Sequence, residues 1–189
     1  MDIETLVNIT CKAWSLAILA ALHEGVPGRQ AQLLTATGAG RTAFAQSVTH
    51  LVDLGLVERN PGHGHPLRPE FRLTGAGQDI AAIAHALTEA AAASQHRDLL
   101  RRAWTVPVLA LLQAPRTFNE IGRSLGSITN RALSQALKSL EACGWVTRTV
   151  DEDARPPRAF YRATATGAAI ARAAGLGRRE EPALADETA

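Results

Sequence analysis

Aromatic side chains are scarce, at 4% of 189 residues, and the chain has two cysteines and one methionine. Cys11 and Cys143 lie far apart in sequence, which excludes a disulfide framework beyond one pair and any zinc-type cysteine spacing. No apolar run reaches the length that spans a bilayer, so no membrane association is expected. The N-terminus opens on acidic residues without a basic segment, so no secretory leader is expected either. Glycine-rich phosphate loops, paired catalytic carboxylates and nucleophile motifs are also missing. Neither an enzyme nor a cofactor-binding protein is expected, and reduced thiols in a cytoplasmic protein are the plain reading. A strong charge of either sign is lacking too: the formal net charge is +2. Part of the basic balance is hidden by the end of the chain, where Arg178 and Arg179 face Glu180, Glu181, Asp186 and Glu187.

What the chain does contain is alanine, and it contains itself twice. Hydrophobic residues make up 46% and charged residues 20%, as in a folded protein. Alanine gives up no rotamer freedom in a helix, so the composition leans helical. The run AWSLAILAAL from residue 13 returns as AWTVPVLALL from residue 103. HLVDLGLVER from 50 returns as SLEACGWVTR from 139, and EFRLTGAGQDIA from 70 as FYRATATGAAIA from 160. Three blocks in one order, offset by 90, 89 and 90 positions, mark a duplicated unit with a one-residue gap.

Each unit follows the same plan. An amphipathic helix carries Trp14, Ile18 and Leu22, or Trp104, Val108 and Leu111. Pro107 fits in its first turn if Thr105 is the N-cap. A short second helix spans about 30–35 or 118–125, followed by a glycine turn at Gly38 to Gly40 or at Gly126. The third helix covers about 41–54 or 130–142 and is closed by Gly55 or Gly144, with Thr129 placed to cap the second copy. Val146, Arg148 and Val150 alternate as in a half-buried strand, residues 151–157 form a tip, and the return strand lies near 160–163. In the first unit the tip falls at 60–66. A last helix starts near Gly77 or Gly167. Between the units, 78–102 reads as one long alanine-rich helix or two in close succession. The expected fold is mainly α with small β wings: two tandem winged helix-turn-helix domains joined by that helix. Residues 1–88 form the first domain, 89–176 the second, and 177–189 an acidic flexible tail.

The second unit resembles the HxlR-type winged-helix regulators, relatives of the MarR group. The resemblance covers about 100–172. It rests on Trp104 to Leu109, Thr117 to Ile121, Leu133 to Glu141, Val146 to Val150 and the wing from Pro156 to Arg162. The first unit is similar more loosely over about 10–85, through its tryptophan, Gly55-Leu56-Val57 and the Arg72-Leu73-Thr74 to Gly77 ending. The resemblance implies a cytoplasmic, bacterial nucleoid-associated transcription factor, most often a repressor, that binds double-stranded operator DNA. Family members are usually single-unit homodimers. Two units in one chain leave open a homodimer or an internal pseudo-dimer. A small-molecule effector is a further possibility of unknown identity. The redox cysteine of some members does not carry over, because Cys11 lies only three residues before Trp14.

In that setting the third helix of the second unit turns Leu133, Leu137 and Leu140 inward and offers Asn130, Arg131, Ser134, Gln135 and Lys138 to DNA. Arginine can bond guanine at two points, asparagine or glutamine can do so with adenine, and lysine suits phosphate. Arg155 and Arg158 of the wing can reach phosphate or a narrow minor groove, although Asp151, Glu152 and Asp153 would repel phosphate if they faced it. On the first unit the matching face carries Arg41, Thr42, Gln46 and Thr49, with Arg59, His63, His65 and Arg68 nearby. That unit is expected to contribute less, either by weak binding of an adjacent half-site about one helical turn away, roughly 34–36 Å, or mainly by assembly. His63 and His65 lack a third ligand, so no metal is expected. Both cysteines are expected in the core, and Trp14 and Trp104 in packing rather than in a ligand pocket. Two other readings remain: a winged-helix protein-interaction module that does not read DNA, and a regulator that answers to a small molecule.

Overall fold

The computed structural model describes residues 1–60 and 70–176. The first unit consists of α1 (Ile3–Thr10), α2 (Ser15–His23), α3 (Gln30–Thr37), α4 (Arg41–Asp53), β1 (Val57–Asn60), β2 (Glu70–Leu73) and α5 (Gly75–Ala91). A 3₁₀ segment, Arg97–Arg101, leads into the second. There follow α6 (Thr105–Leu111), β3 (Arg116–Thr117), α7 (Phe118–Leu125), α8 (Asn130–Ala142), β4 (Val146–Asp151), β5 (Arg158–Ala163) and α9 (Ala165–Ala173).

The duplicated plan of helices and wings stands, and polar caps explain several boundaries. Asp2 accepts from the Thr5 N–H at 2.7 Å and starts α1, and Thr74 accepts from the Gly77 N–H at 3.0 Å and starts α5. Thr117 and Glu120 close a reciprocal capping box on α7. After α4 and α8 the chain reverses through Gly55 at φ +68° and Gly144 at φ +74°, a backbone shape that a Cβ disfavours.

Each wing is antiparallel. β1 pairs with β2, from Val57 opposite Leu73 to Asn60 opposite Glu70. The second unit has a three-stranded sheet in the order β3-β5-β4, with Val146 opposite Ala163 and Asp151 opposite Arg158. Among the described residues β3 has no strand counterpart in the first unit; a single bridge, Arg29 to Glu70, stands there.

One contiguous apolar core runs through both units, from Leu6 and Ile18 to Trp145 and Ile170. α5 packs on α9, its equivalent in the repeat, while α1 reaches across to lie on α6 and α7. At that crossing the buried Thr10 hydroxyl donates to the Ala103 carbonyl at 2.8 Å, with the Leu6 carbonyl at 2.9 Å as its alternative.

Several expectations need correction. Of the two readings of residues 78–102, two helical segments in close succession is the one found and one long helix is not: α5 ends at Ala91 and the 3₁₀ segment follows. Thr105 is not the N-cap of α6. Trp104 is, and Thr105 lies buried in the first turn. Pro107 remains in that turn, where no intrahelical N–H is needed. Cys11 is exposed, because it caps the end of α1 and the chain turns 99° between α1 and α2. Cys143 is partly buried, and that burial pushes its thiol pKa up. β4 is buried only at Val146, since the wing projects away from the body and leaves Val150 43% exposed. Among the described residues no single helix is long and apolar enough to cross a membrane. His63, His65, Arg68 and the tail 177–189 lie outside the described residues.

Candidate nucleic-acid interface

α8 is held by one cap and three buried leucines. Thr129 accepts from the Ala132 N–H at 3.2 Å and caps its first turn. Leu133, Leu137 and Leu140 are buried, with exposures of 0%, 2% and 1%, which fixes the rotation of the helix about its axis. The opposite face then follows from helical geometry. Asn130, Arg131, Ser134, Gln135 and Lys138 are all exposed. Neither Arg131 nor Lys138 forms an ion pair among the described residues, so both positive charges are available to a partner. Thr129→Ala should cost about 1 kcal/mol by removing the cap. Urea unfolding would show a lower midpoint at an unchanged slope.

In front of the α8 N-terminus, α7 presents Asn119 and Arg123 beside Asn130 around an open cleft. These two residues were missed at the sequence level. The signal was available, because the first helix of a helix-turn-helix crosses the nucleic-acid backbone. The Glu120 pKa is lowered from its ordinary 4.5, chiefly by the Thr117 backbone N–H and then by its hydroxyl. A lowered carboxylate stabilises the folded state above its unfolded pKa and loses that contribution as pH falls through the folded value. The capping box therefore supports α7 at neutral pH and fails only in acid.

On the wing, Arg155 and Arg158 are exposed at the tip and on β5. Asp151 accepts from the Asp153 and Ala154 N–H groups at 3.1 and 3.3 Å, so this carboxylate is engaged with the turn. Glu152 and Asp153 are exposed beside the arginines. Arg148 and Arg162, on neighbouring strands, add two further exposed cations.

The first unit repeats this geometry with different chemistry. Phe44, Val48 and Leu51 of α4 are buried, while Arg41, Thr42, Gln46 and Thr49 are exposed. In the 89-residue register Thr42, Ala45 and Thr49 stand where α8 has Arg131, Ser134 and Lys138. Gly40 starts α4 without a side-chain cap. At the start of β2 Glu70 binds Arg29, the N-cap of α3, at 3.0 Å and Arg72 at 3.6 Å. The Arg29 hydrogen bond is the main cause of the lowered Glu70 pKa. Val52 and Leu54, at the end of α4, are exposed apolar residues.

Comparison with known proteins matches the HxlR-like helix-turn-helix profile twice, over residues 9–98 and 99–175. An HTH-type transcriptional regulator of Mycobacterium tuberculosis is 41% identical over 74 residues, covering 39% of this chain and 46% of the relative. Its counterpart in Mycobacterium bovis is 39% identical over the same length and coverage. The match thus spans about half the length of these relatives. The reduced form of the transcriptional regulator YodB from B. subtilis is 30% identical, with a TM-score of 0.36 over 38% of this chain and 71% of that one.

Proposed function

The chain belongs to the HxlR-like helix-turn-helix family, and on that premise we propose that it represses transcription by reading operator DNA mainly through its second unit. Its relatives are transcriptional regulators rather than enzymes. In this reading α8 enters the major groove, Arg131 and Gln135 contact base edges, and Lys138 neutralises a phosphate. Asn130 and Ser134 flank them. Arg155 and Arg158 of the wing reach the adjacent backbone or minor groove. The observation that carries the reading is the exposed face of α8, whose cations have no ion pair among the described residues, in a helix whose other side is locked into the core.

The two units act as an internal pseudo-dimer. Support comes from the packing of α5 on α9, since equivalent helices of the two units meet each other. The first unit supplies less affinity because α4 has threonines where α8 has Arg131 and Lys138, and Arg29 and Arg72 beside its wing are paired with Glu70.

Arg131→Ala and Gln135→Ala should each weaken operator binding by roughly 1–3 kcal/mol and relax the preference at one base position. Lys138→Ala should weaken all sequences alike and lower the salt slope by about one. Gln46→Ala and Thr49→Ala should have smaller effects. Binding titrations on operator and scrambled duplexes at several salt concentrations separate these outcomes. Unchanged binding in all three α8 variants would refute this helix as the reader.

A further inference from the structure

The two units differ most where their N-terminal segments dock. α1 fills the face of α6 and α7 and buries Leu6 and Ile9 at 0% and 1% exposure. Ninety residues on, His96 stands at the position of Leu6 and Leu99 at that of Ile9, and both are only partly buried. Here the chain forms the short 3₁₀ segment, which packs chiefly on α5 and α6. The face of α2 is left with a cleft of about 430 Å³. The pseudo-symmetry is close enough to follow by residue. Thr10 meets Ala103 across the filled site, and their equivalents, Leu100 and Ala13, both line the cleft.

The floor is flat, because Ala17, Ala20 and Ala21 of α2 project only methyl groups. Trp14 forms one wall, with the Arg101 guanidinium 4.7 Å from its ring centre. On the rim Asp98 pairs with Arg101 at 2.9 Å, and Glu24 is hydrogen-bonded to His85 at 3.0 Å. Arg97 and Glu89, one of each sign, have no ion pair among the described residues. A ligand with net charge would meet its like as well as its opposite. A neutral ligand with a hydrogen-bonding substituent meets a donor on one side and an acceptor on the other.

We propose that this cleft binds an uncharged planar aromatic molecule of about two fused rings, stacked on Trp14 above the alanine floor. Its volume falls in the range of small-molecule sites. Arg101 is exposed and can swing aside or close over the second face of the ligand. Ala36 and Thr37 line the same cleft immediately before the turn into α4, so occupancy reaches the helix-turn-helix of the first unit. That link rests on the DNA reading above; the binding itself does not.

The test is a titration of the full chain with 2-naphthol, followed through the indole N–H signals of Trp14, Trp104 and Trp145. A saturable shift at Trp14, with Trp104 and Trp145 unmoved, is expected. Trp104 is the internal control, being the equivalent of Trp14 at the site that α1 fills. Ala17→Leu fills the floor and should weaken binding by about tenfold or more. Ala92→Leu narrows the slot from an exposed position on the far wall and should act alike without disturbing the core. No saturable shift at Trp14, shifts shared equally with Trp104, or undiminished binding in both variants would overturn the proposal. No DNA enters these measurements, so a negative result leaves the assignment of α8 standing.

Discussion

Leu6→Ala should lower the stability of the protein by about 2–5 kcal/mol, although it truncates a residue six positions from the N-terminus. Terminal segments usually tolerate change because they bury little. Leu6 is different, with 0% exposure and a place in the shared core. It sits on α1, which docks on α6 and α7 of the second unit. Truncation removes the transfer free energy of the lost carbons and leaves a cavity that the packed helices cannot easily close. The effect should be visible from the far side of the molecule. Trp145, 2% exposed in the second unit, is a suitable fluorophore once Trp14 and Trp104 are changed to phenylalanine. Its urea transition should shift to lower concentration in the Leu6→Ala protein. A loss below about 1 kcal/mol would mean that α1 is not part of the common core.

Gly167→Ala should cost about 3 kcal/mol, at the upper end for overpacking. A Cβ built there lies 2.1 Å from the Trp145 carbonyl oxygen. That oxygen cannot rotate away, because it also accepts from the Thr164 N–H at 2.9 Å. α9 would have to lift off the turn that joins α8 to β4. For a chain of this size the melting temperature should fall by roughly 6–12 °C. Gly77 repeats the contact in the first unit, 1.9 Å from the Leu56 oxygen, and Gly77→Ala should behave alike. Gly122 is the control. The nearest atom to a Cβ there is Leu133 Cδ2 at 3.7 Å, so Gly122→Ala should be neutral or stabilise α7 by about 0.5–1 kcal/mol. Thermal scans of the three variants side by side distinguish steric contact from a general cost of replacing glycine.

Much of the candidate interface is legible in the sequence. The three-four spacing of Leu133, Leu137 and Leu140 sets one face of α8 inward, and Arg131, Gln135 and Lys138 then have only the outer face to occupy. The same reasoning placed Phe44, Val48 and Leu51 of α4. Thr129 and the two closing glycines were readable because caps act within one helical turn. Failures came where the outcome depends on distant partners. Cys11 shares a helical spacing with Trp14, yet a turn separates them and leaves the thiol exposed, 3.3 Å from His50 Nε2. Val150 alternates as a half-buried residue would, but the wing carries it beyond anything that could cover it. β3 is two residues long and exists only through its pairing with β5, so no local pattern announces it.

Local periodicity and internal repetition were enough to establish two winged units, the facing of their third helices and the unequal charge of those helices. These properties depend on residues within a turn or two of one another. Packing between residues some ninety positions apart decided the rest: α1 fills one of two equivalent sites, while the shorter 3₁₀ segment leaves the other as a cleft beside Trp14. Which of two similar segments buries its side chains depends on the surface it meets, and that surface exists only in the folded chain.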